Sequence, residues 1–140
     1  MAELDAETLS QIAHNRDFAV REFGDLVEFE FGMDRDSVAW VEGFIERQRK
    51  NGNVEPGGGL HSVLGSYLGE AIIAATGGRW DEDDNGIGIL FANGDKCYPF
   101  AKVAKQLENG LEGGDSILSF YNVSVDYVAK GKLSAPENKE

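Results

Sequence analysis

The chain has 140 residues, 41% of them hydrophobic, and its 25 acidic residues against 13 lysines and arginines give a formal net charge of -12. A chain of this length is expected to form one domain, and its carboxylate excess excludes a protein that binds duplex nucleic acid by neutralising phosphates. No apolar run approaches the roughly 18 residues that a membrane span needs, so we expect no membrane partner.

Two amphipathic helices are predicted in the N-terminal part of the chain. The first covers residues 4–24, and Asp5 is placed to cap its start. The second begins after a cap at Asp34 or Asp36. Between the two helices, apolar and acidic side chains alternate over residues 26–31, which predicts a short extended segment.

The middle of the chain is rich in glycine. Residues 54–59 contain three consecutive glycines and are predicted to form a loop. Residues 60–76 have a broad apolar face and are predicted to form the central helix. Gly65 and Gly69 lie four positions apart on that helix, so another element is expected to approach its backbone closely there.

A short antiparallel hairpin is predicted next. Asn93 and Gly94 lie between two β-prone runs, residues 87–91 and 96–100, and an Asn-Gly pair in that setting is a strong hairpin signal. Pro99 cannot donate to a ladder, so the second strand is expected to lie at an edge or to end there.

Two helices are predicted at the C-terminal end. Residues 101–109 form the first, and the second begins at a cap on Asp115 or Ser116. Residues 130–140 are small, polar and charged, which predicts a disordered tail. The expected fold class is α+β, with a helical N-terminal half, a central helix, a short antiparallel β-hairpin and two C-terminal helices, in one domain over residues 1–129.

The acidic run after Trp80 resembles part of a calcium loop. Asp81, Asp83 and Asn85 match its first, third and fifth positions, but Ala92 stands at the twelfth, where a bidentate acid is required. We therefore predict no metal and no cofactor here. The run is interpreted as a strand end entering a solvated acidic turn, which keeps a hairpin edge from pairing with other chains.

Charge and aromatic residues favour a protein-binding function. Residues 1–36 contain ten acids and three arginines. Trp40 is predicted at the edge of an apolar stripe beside two acids, and an exposed aromatic residue in an acidic field is typical of a protein-binding hot spot. We therefore predict that a basic protein partner is bound by Trp40, Glu42, Glu46, Asp81, Glu82, Asp83 and Asp84.

Two other functions remain open from the sequence. A small hydrolase or transferase would use Glu70, His61 and Cys97, which would have to meet in one cleft. A small-anion-binding adaptor would use the glycine-rich helix start at residues 57–59. Each of the three candidate catalytic residues also has a simpler structural interpretation. Glu70 would pair with a group such as Arg79, His61 would form a hydrogen bond, and Cys97 would be a packed thiol.

Four short motifs occur in order within residues 20–125. They are W-x-x-G-F-I-x-R-x-R at residues 40–49, L-G-x-x-L-G-E at 64–70, G-G-x-W at 77–80, and Pro-Phe at 99–100 before a helix. In this order they resemble a bacterial family of small domains of unknown function. The resemblance implies a compact α+β domain in the bacterial cytoplasm, without an assigned reaction. Some similar small acidic proteins are encoded beside toxins as immunity proteins.

The predicted function is therefore a non-catalytic acidic protein-binding module, with an immunity or antitoxin-like inhibitor of a basic toxin as one form of it. The single cysteine excludes an internal disulfide, which suits a reducing cytoplasm. The acidic first five residues do not look like a signal peptide, so a cytoplasmic location is expected.

Overall fold

The computed structural model describes residues 3–52 and 59–131. In this part of the chain, helices flank a three-stranded antiparallel sheet with strand order β1-β2-β3, which confirms the predicted α+β class. The elements in chain order are α1 (Ala6–Gly24), α2 (Arg35–Lys50), α3 (Gly59–Thr76), β1 (Arg79–Asp83), β2 (Gly86–Leu90), β3 (Lys96–Cys97), α4 (Pro99–Asn109) and α5 (Ile117–Val123).

Side-chain caps begin three of the helices. Asp5, Asp34 and Ser116 each accept a hydrogen bond from the backbone amide three residues later, at 2.7 to 3.0 Å. Such a bond satisfies one of the amides that have no partner within the first turn of a helix. Of the alternatives open from the sequence, Asp34 caps α2 and Ser116 caps α5.

Helix α3 is the centre of the fold, as predicted. The middle of its apolar face is fully buried, and the helix packs against α1 and α4; the buried side chains are Leu64, Tyr67, Leu68, Ala71 and Ile72. The two glycines on this helix accept large rings: a methyl group at Gly65 would overlap the ring of Phe100, and one at Gly69 would overlap the ring of Trp80. The close approach predicted at both glycines is therefore confirmed.

The sheet consists of two hairpins that share β2. The predicted β2–β3 hairpin is present, and β3 is a short edge strand because Pro99 already opens α4. The β1–β2 hairpin was not predicted as such. Residues 81–83 pair with β2 and do not form a turn, although acidic residues are poor strand formers.

The segment between α1 and α2 is not a strand, so the prediction for residues 26–31 is wrong. The backbone bends there, and the described part of the chain offers no strand that pairs with it. Its alternating apolar side chains differ in burial: Phe31 is buried in the core, whereas Phe29 is 43% exposed. A period of two is therefore not sufficient to form a strand where no ladder partner exists.

The C-terminal helices carry two irregular turns. A 3₁₀ turn at Leu111–Gly113 connects α4 to α5, and a π-helical turn at Ser124–Val128 continues α5. Asn93 Nδ2 donates to the carbonyl of Val128 at 2.8 Å, so the β2–β3 turn holds the end of this helix. Of the loop predicted at residues 54–59, Gly59 begins α3 and residues 54–58 lie outside the described residues. Of the tail predicted at residues 130–140, all but the first two residues lie outside them.

Candidate functional site

Two predicted binding residues, Glu42 and Glu46, connect α2 to the C-terminal helices. Glu42 Oε1 accepts hydrogen bonds from Ser116 Oγ at 2.5 Å and from the Leu118 amide at 3.1 Å. Glu46 Oε2 accepts a hydrogen bond from Gln106 Nε2 at 2.8 Å. Both glutamates are only partly exposed. Their carboxylates are thus used to join helices, a role that the sequence analysis did not predict.

Trp40 belongs to an aromatic cluster. Its ring centroid lies 5.1 Å from that of Phe23, 5.8 Å from that of Phe31 and 5.9 Å from that of Phe44. The guanidinium of Arg47 lies over the indole at 5.3 Å from the ring centroid. The indole is therefore partly buried, and the exposed position expected at the edge of the apolar stripe is not found.

An ion-pair network lies on the face of the sheet opposite to Trp80, which packs against α3; we call it the outer face. Lys96 Nζ donates to Asp81 Oδ2 at 2.8 Å and to Asp83 Oδ2 at 2.6 Å. The Tyr98 hydroxyl also donates to Asp83 Oδ2, at 2.9 Å. Gly88 pairs with Asp81 across the sheet. A methyl group there would lie 2.7 Å from the Cys97 carbonyl oxygen and 2.8 Å from the Tyr98 ring, so glycine makes room for both.

This network corrects the interpretation of the acidic run. Asp81 is only 2% exposed, and Asp83 is partly buried against Lys96. A solvated acidic turn is therefore wrong for these two carboxylates, because both pair with the ammonium of Lys96. Only Glu82 and Asp84 of the run are exposed to solvent.

Acid is expected to weaken the outer-face network. Hydrogen bonds from Lys96, the Asn85 amide and Tyr98 lower the pKa of Asp83 from an ordinary 3.8 to about 2. A carboxyl whose pKa is lower in the folded state than in the unfolded state stabilises the fold above the unfolded value, and this contribution is lost as the pH falls toward the folded value. Stability measured by urea unfolding should therefore decrease between about pH 4 and about pH 2.

Two variants distinguish the contribution of the Asp83 carboxyl to the pH dependence from that of the other carboxyls. Asp83→Asn should remove part of the decrease in that pH window, whereas Asp84→Asn, at an exposed position, should keep the wild-type dependence. Identical pH dependence of wild type and Asp83→Asn would contradict the assignment.

Glu70 is held by two donors and lies beside an open groove of about 370 Å³. Its Oε1 accepts from Arg16 Nη1 at 2.5 Å, and its Oε2 accepts from Trp80 Nε1 at 2.9 Å. Arg79, suggested as its partner from the sequence, donates instead to Glu3 at 3.3 Å. Because both oxygens of Glu70 already accept strong hydrogen bonds, the carboxylate is a structural anchor for the indole of Trp80.

The other two candidate catalytic residues lie apart from Glu70. His61 Nε2 donates to the carbonyl of Phe100 at 3.0 Å, and Cys97 is buried, which raises its thiol pKa to about 12. At that pKa the nucleophilic thiolate is not populated at neutral pH. Neither residue lines the groove beside Glu70. Among the described residues, the three groups therefore do not form the convergent site that a hydrolase or transferase requires.

The exposed carboxylates are concentrated in the first quarter of the chain. All ten acids of residues 1–36 are exposed, whereas only four of the twelve described acids that follow are exposed. With three arginines, this quarter carries a formal charge of -7. Four of the seven exposed large hydrophobic residues in the described chain lie in the same stretch: Leu9, Phe18, Leu26 and Phe29.

The loop between α1 and α2 is the part of this surface that the sequence analysis missed. It presents exposed apolar and acidic side chains together, and we name Asp25, Leu26, Glu28, Phe29 and Glu30 the loop patch. The alternation of apolar and acidic residues was the available signal. It predicts a short extended segment, whereas in the structure Leu26 and Phe29 of this alternation are exposed and Phe31 is buried.

Known proteins give no guide to this surface. No family model matches the chain, and neither the curated proteins nor the solved structures include a significant match to it. The resemblance to a bacterial family of small domains stays a prediction.

No set of three or more His, Cys, Asp or Glu side chains suited to a metal ion occurs in residues 3–52 and 59–131. None of the helices described over those ranges is both long and apolar enough to cross a bilayer.

Proposed function

We propose that this chain is a non-catalytic acidic protein that binds a basic protein partner. The observation that carries the proposal is the unequal placement of its carboxylates: those in the first 36 residues all face solvent, and most described carboxylates after them are partly or fully buried. Carboxylates spread for solubility alone would be expected to be exposed in similar proportion in the first quarter and in the rest of the chain.

Such a charge distribution has a physical consequence for binding. A surface of one sign attracts a partner of the opposite sign before contact, which raises the association rate and makes it dependent on salt. Exposed apolar side chains within the same surface add short-range affinity once the charges have oriented the partner. An inhibitor that covers the basic surface of a toxin, as immunity proteins do, is one form of this function.

The test begins with capture of partners from the native cell at low salt, followed by elution with increasing salt. We expect a basic protein to be retained and then released as the salt rises. Its association rate should fall about tenfold for the triple variant Glu7→Gln, Asp25→Asn and Glu30→Gln.

A matched triple variant provides the control. Glu82→Gln, Asp84→Asn and Glu108→Gln remove the same charge from exposed positions outside the first quarter. The sequence also predicts Glu82 and Asp84 as binding residues, but the proposed function places binding on the first quarter, so the association rate should change by less than about twofold. Capture of no basic protein, or equal losses in the two triple variants, would contradict the proposed function.

A further inference from the structure

We infer that the partner docks on the loop patch, and that its complementary surface carries lysines or arginines around an apolar hollow. This inference rests on the proposed function and assigns its binding surface. Three features of the loop between α1 and α2 support it: the exposure of its apolar side chains, its rigidity and its unpaired carboxylates.

The exposure is unusual for apolar side chains of this size. Leu26 is 66% exposed, the highest value among the exposed large hydrophobic residues of the described chain, and Phe29 is 43% exposed. They lie three residues apart in one short loop. Single exposed apolar residues need no explanation, but two of them together within a polar rim are typical of an interaction site.

The loop is held in place from both sides. At its start, the Leu26 amide donates to the Phe23 carbonyl at 2.9 Å. At its end, the ring centroid of Phe31 lies 5.7 Å from that of Tyr67. The Tyr67 hydroxyl also donates to the Gly32 carbonyl at 2.7 Å. A loop that is already ordered loses little conformational entropy on binding, so more of its contact energy is available as affinity.

The three acids of the loop patch are not neutralised within the described chain. Asp25, Glu28 and Glu30 are exposed and take part in none of its ion pairs. The arginines that flank the loop are engaged elsewhere: Arg21 pairs with Glu22 at 3.4 Å, and Arg35 pairs with Asp126 at 3.2 Å. The loop patch therefore needs cations from outside to match its charge.

Charge also decides the class of occupant. A nucleic acid, an anionic membrane and a second copy of this chain would each bring negative charge to the loop patch and would be repelled. A basic protein brings the opposite charge, and a hollow in its surface would receive Leu26 and Phe29. Exclusion of water around those two side chains would then strengthen the surrounding ion pairs.

A photocrosslinking experiment tests the surface directly. A benzoylphenylalanine is placed at Phe29, and in a second chain at Tyr127, which is 47% exposed on the π-helical turn after α5. After irradiation in the native cell, we expect the Phe29 position to give a crosslink to a basic protein, mapped to a peptide that contains Lys or Arg. The crosslink should be lost when Asp25→Asn, Glu28→Gln and Glu30→Gln are added.

The outcomes separate this inference from the proposed function. A basic protein that crosslinks at Tyr127 and not at Phe29 would overturn the loop patch while leaving the proposed function standing. Crosslinks from neither position to any basic protein, together with a failed low-salt capture, would overturn both. A crosslink from Phe29 to a nucleic acid, a lipid or a second copy would overturn the assigned class of occupant.

A second variant measures the apolar contribution. Leu26→Ser should weaken binding of the crosslinked protein at least about tenfold, because the side chain would no longer fill the hollow. Leu111→Ser is the control, since Leu111 is 46% exposed outside the loop patch. Urea unfolding of both variants should match that of wild type, and equal binding by the two would contradict the inference.

Discussion

Gly69→Ala is expected to lower the free energy of unfolding by about 2 kcal/mol, since an added methyl group would overlap the buried ring of Trp80. The substitution also favours helix by as much as ~1 kcal/mol, so the steric cost must exceed that gain. The ring cannot move freely, because its Nε1 donates to Glu70 and its centroid lies 5.6 Å from that of the Phe100 ring. Urea denaturation measures the change.

The same substitution on another helix is the control. At Gly43 in α2, a methyl group would meet only the end of the Arg47 side chain, at 3.3 Å, and that flexible group can move aside. Gly43→Ala should therefore be neutral or stabilising by up to ~1 kcal/mol. Equal effects of the two substitutions would show that the glycine in α3 is not required by packing.

Gln106→Leu is the second substitution with a large expected effect, a loss of about 2 to 3 kcal/mol in the free energy of unfolding. The side chain of Gln106 is fully buried, and its two ends are both bonded: Nε2 donates to Glu46 at 2.8 Å, and Oε1 accepts from the Ile117 amide at 2.7 Å. Leucine fills similar space but leaves the backbone N–H of Ile117 without an acceptor, and the desolvation of this N–H is then not compensated.

An exposed neighbour supplies the matched control for this change. Lys105→Leu introduces the same side chain one position earlier on α4, where the residue faces solvent, and stability should change by less than about 0.5 kcal/mol. A small effect at both positions would mean that the hydrogen bonds of Gln106 do not connect α2, α4 and α5 as the geometry indicates.

Glu42 and Glu46 differ from the acids of the loop patch in a way that bears on function. Glu46 acts with Gln106 inside the fold, and Glu42 caps the first turn of α5. Substituting either glutamate should therefore impair folding, which would also reduce binding indirectly. The loop patch offers carboxylates whose removal tests binding without that complication.

Much of the fold follows from local signals. The helix boundaries near Asp5, Asp34 and Ser116 were predictable, because a cap and the helical period act within a few residues of one another. The turn at Asn93 and Gly94 was predictable for the same reason. The acidic strand β1 was not, since Lys96, which pairs with Asp81 and Asp83, lies 15 and 13 residues further along the chain.

The candidate site was less predictable than the fold. Trp40 and Glu42 lie in a region where aromatic and acidic residues are mixed, and the helical period alone does not reveal which neighbours cover them. The loop patch was read as a strand because alternation in a sequence does not distinguish a surface from a half-buried ladder.

By itself, the sequence determined most of the helices with the approximate places of their caps, the α+β class and the overall acidity, because each of these depends on composition or on neighbours within a turn. Only the tertiary structure decided which carboxylates face solvent, since a carboxylate is neutralised or left free by residues that are far away in the chain. Lys96, Ser116 and Gln106 bind the later acids, whereas no comparable donor of the described chain reaches Asp25, Glu28 or Glu30. The long-range pairing of charges thus leaves all the carboxylates of the first quarter exposed, whereas most of the later described ones are partly or fully buried.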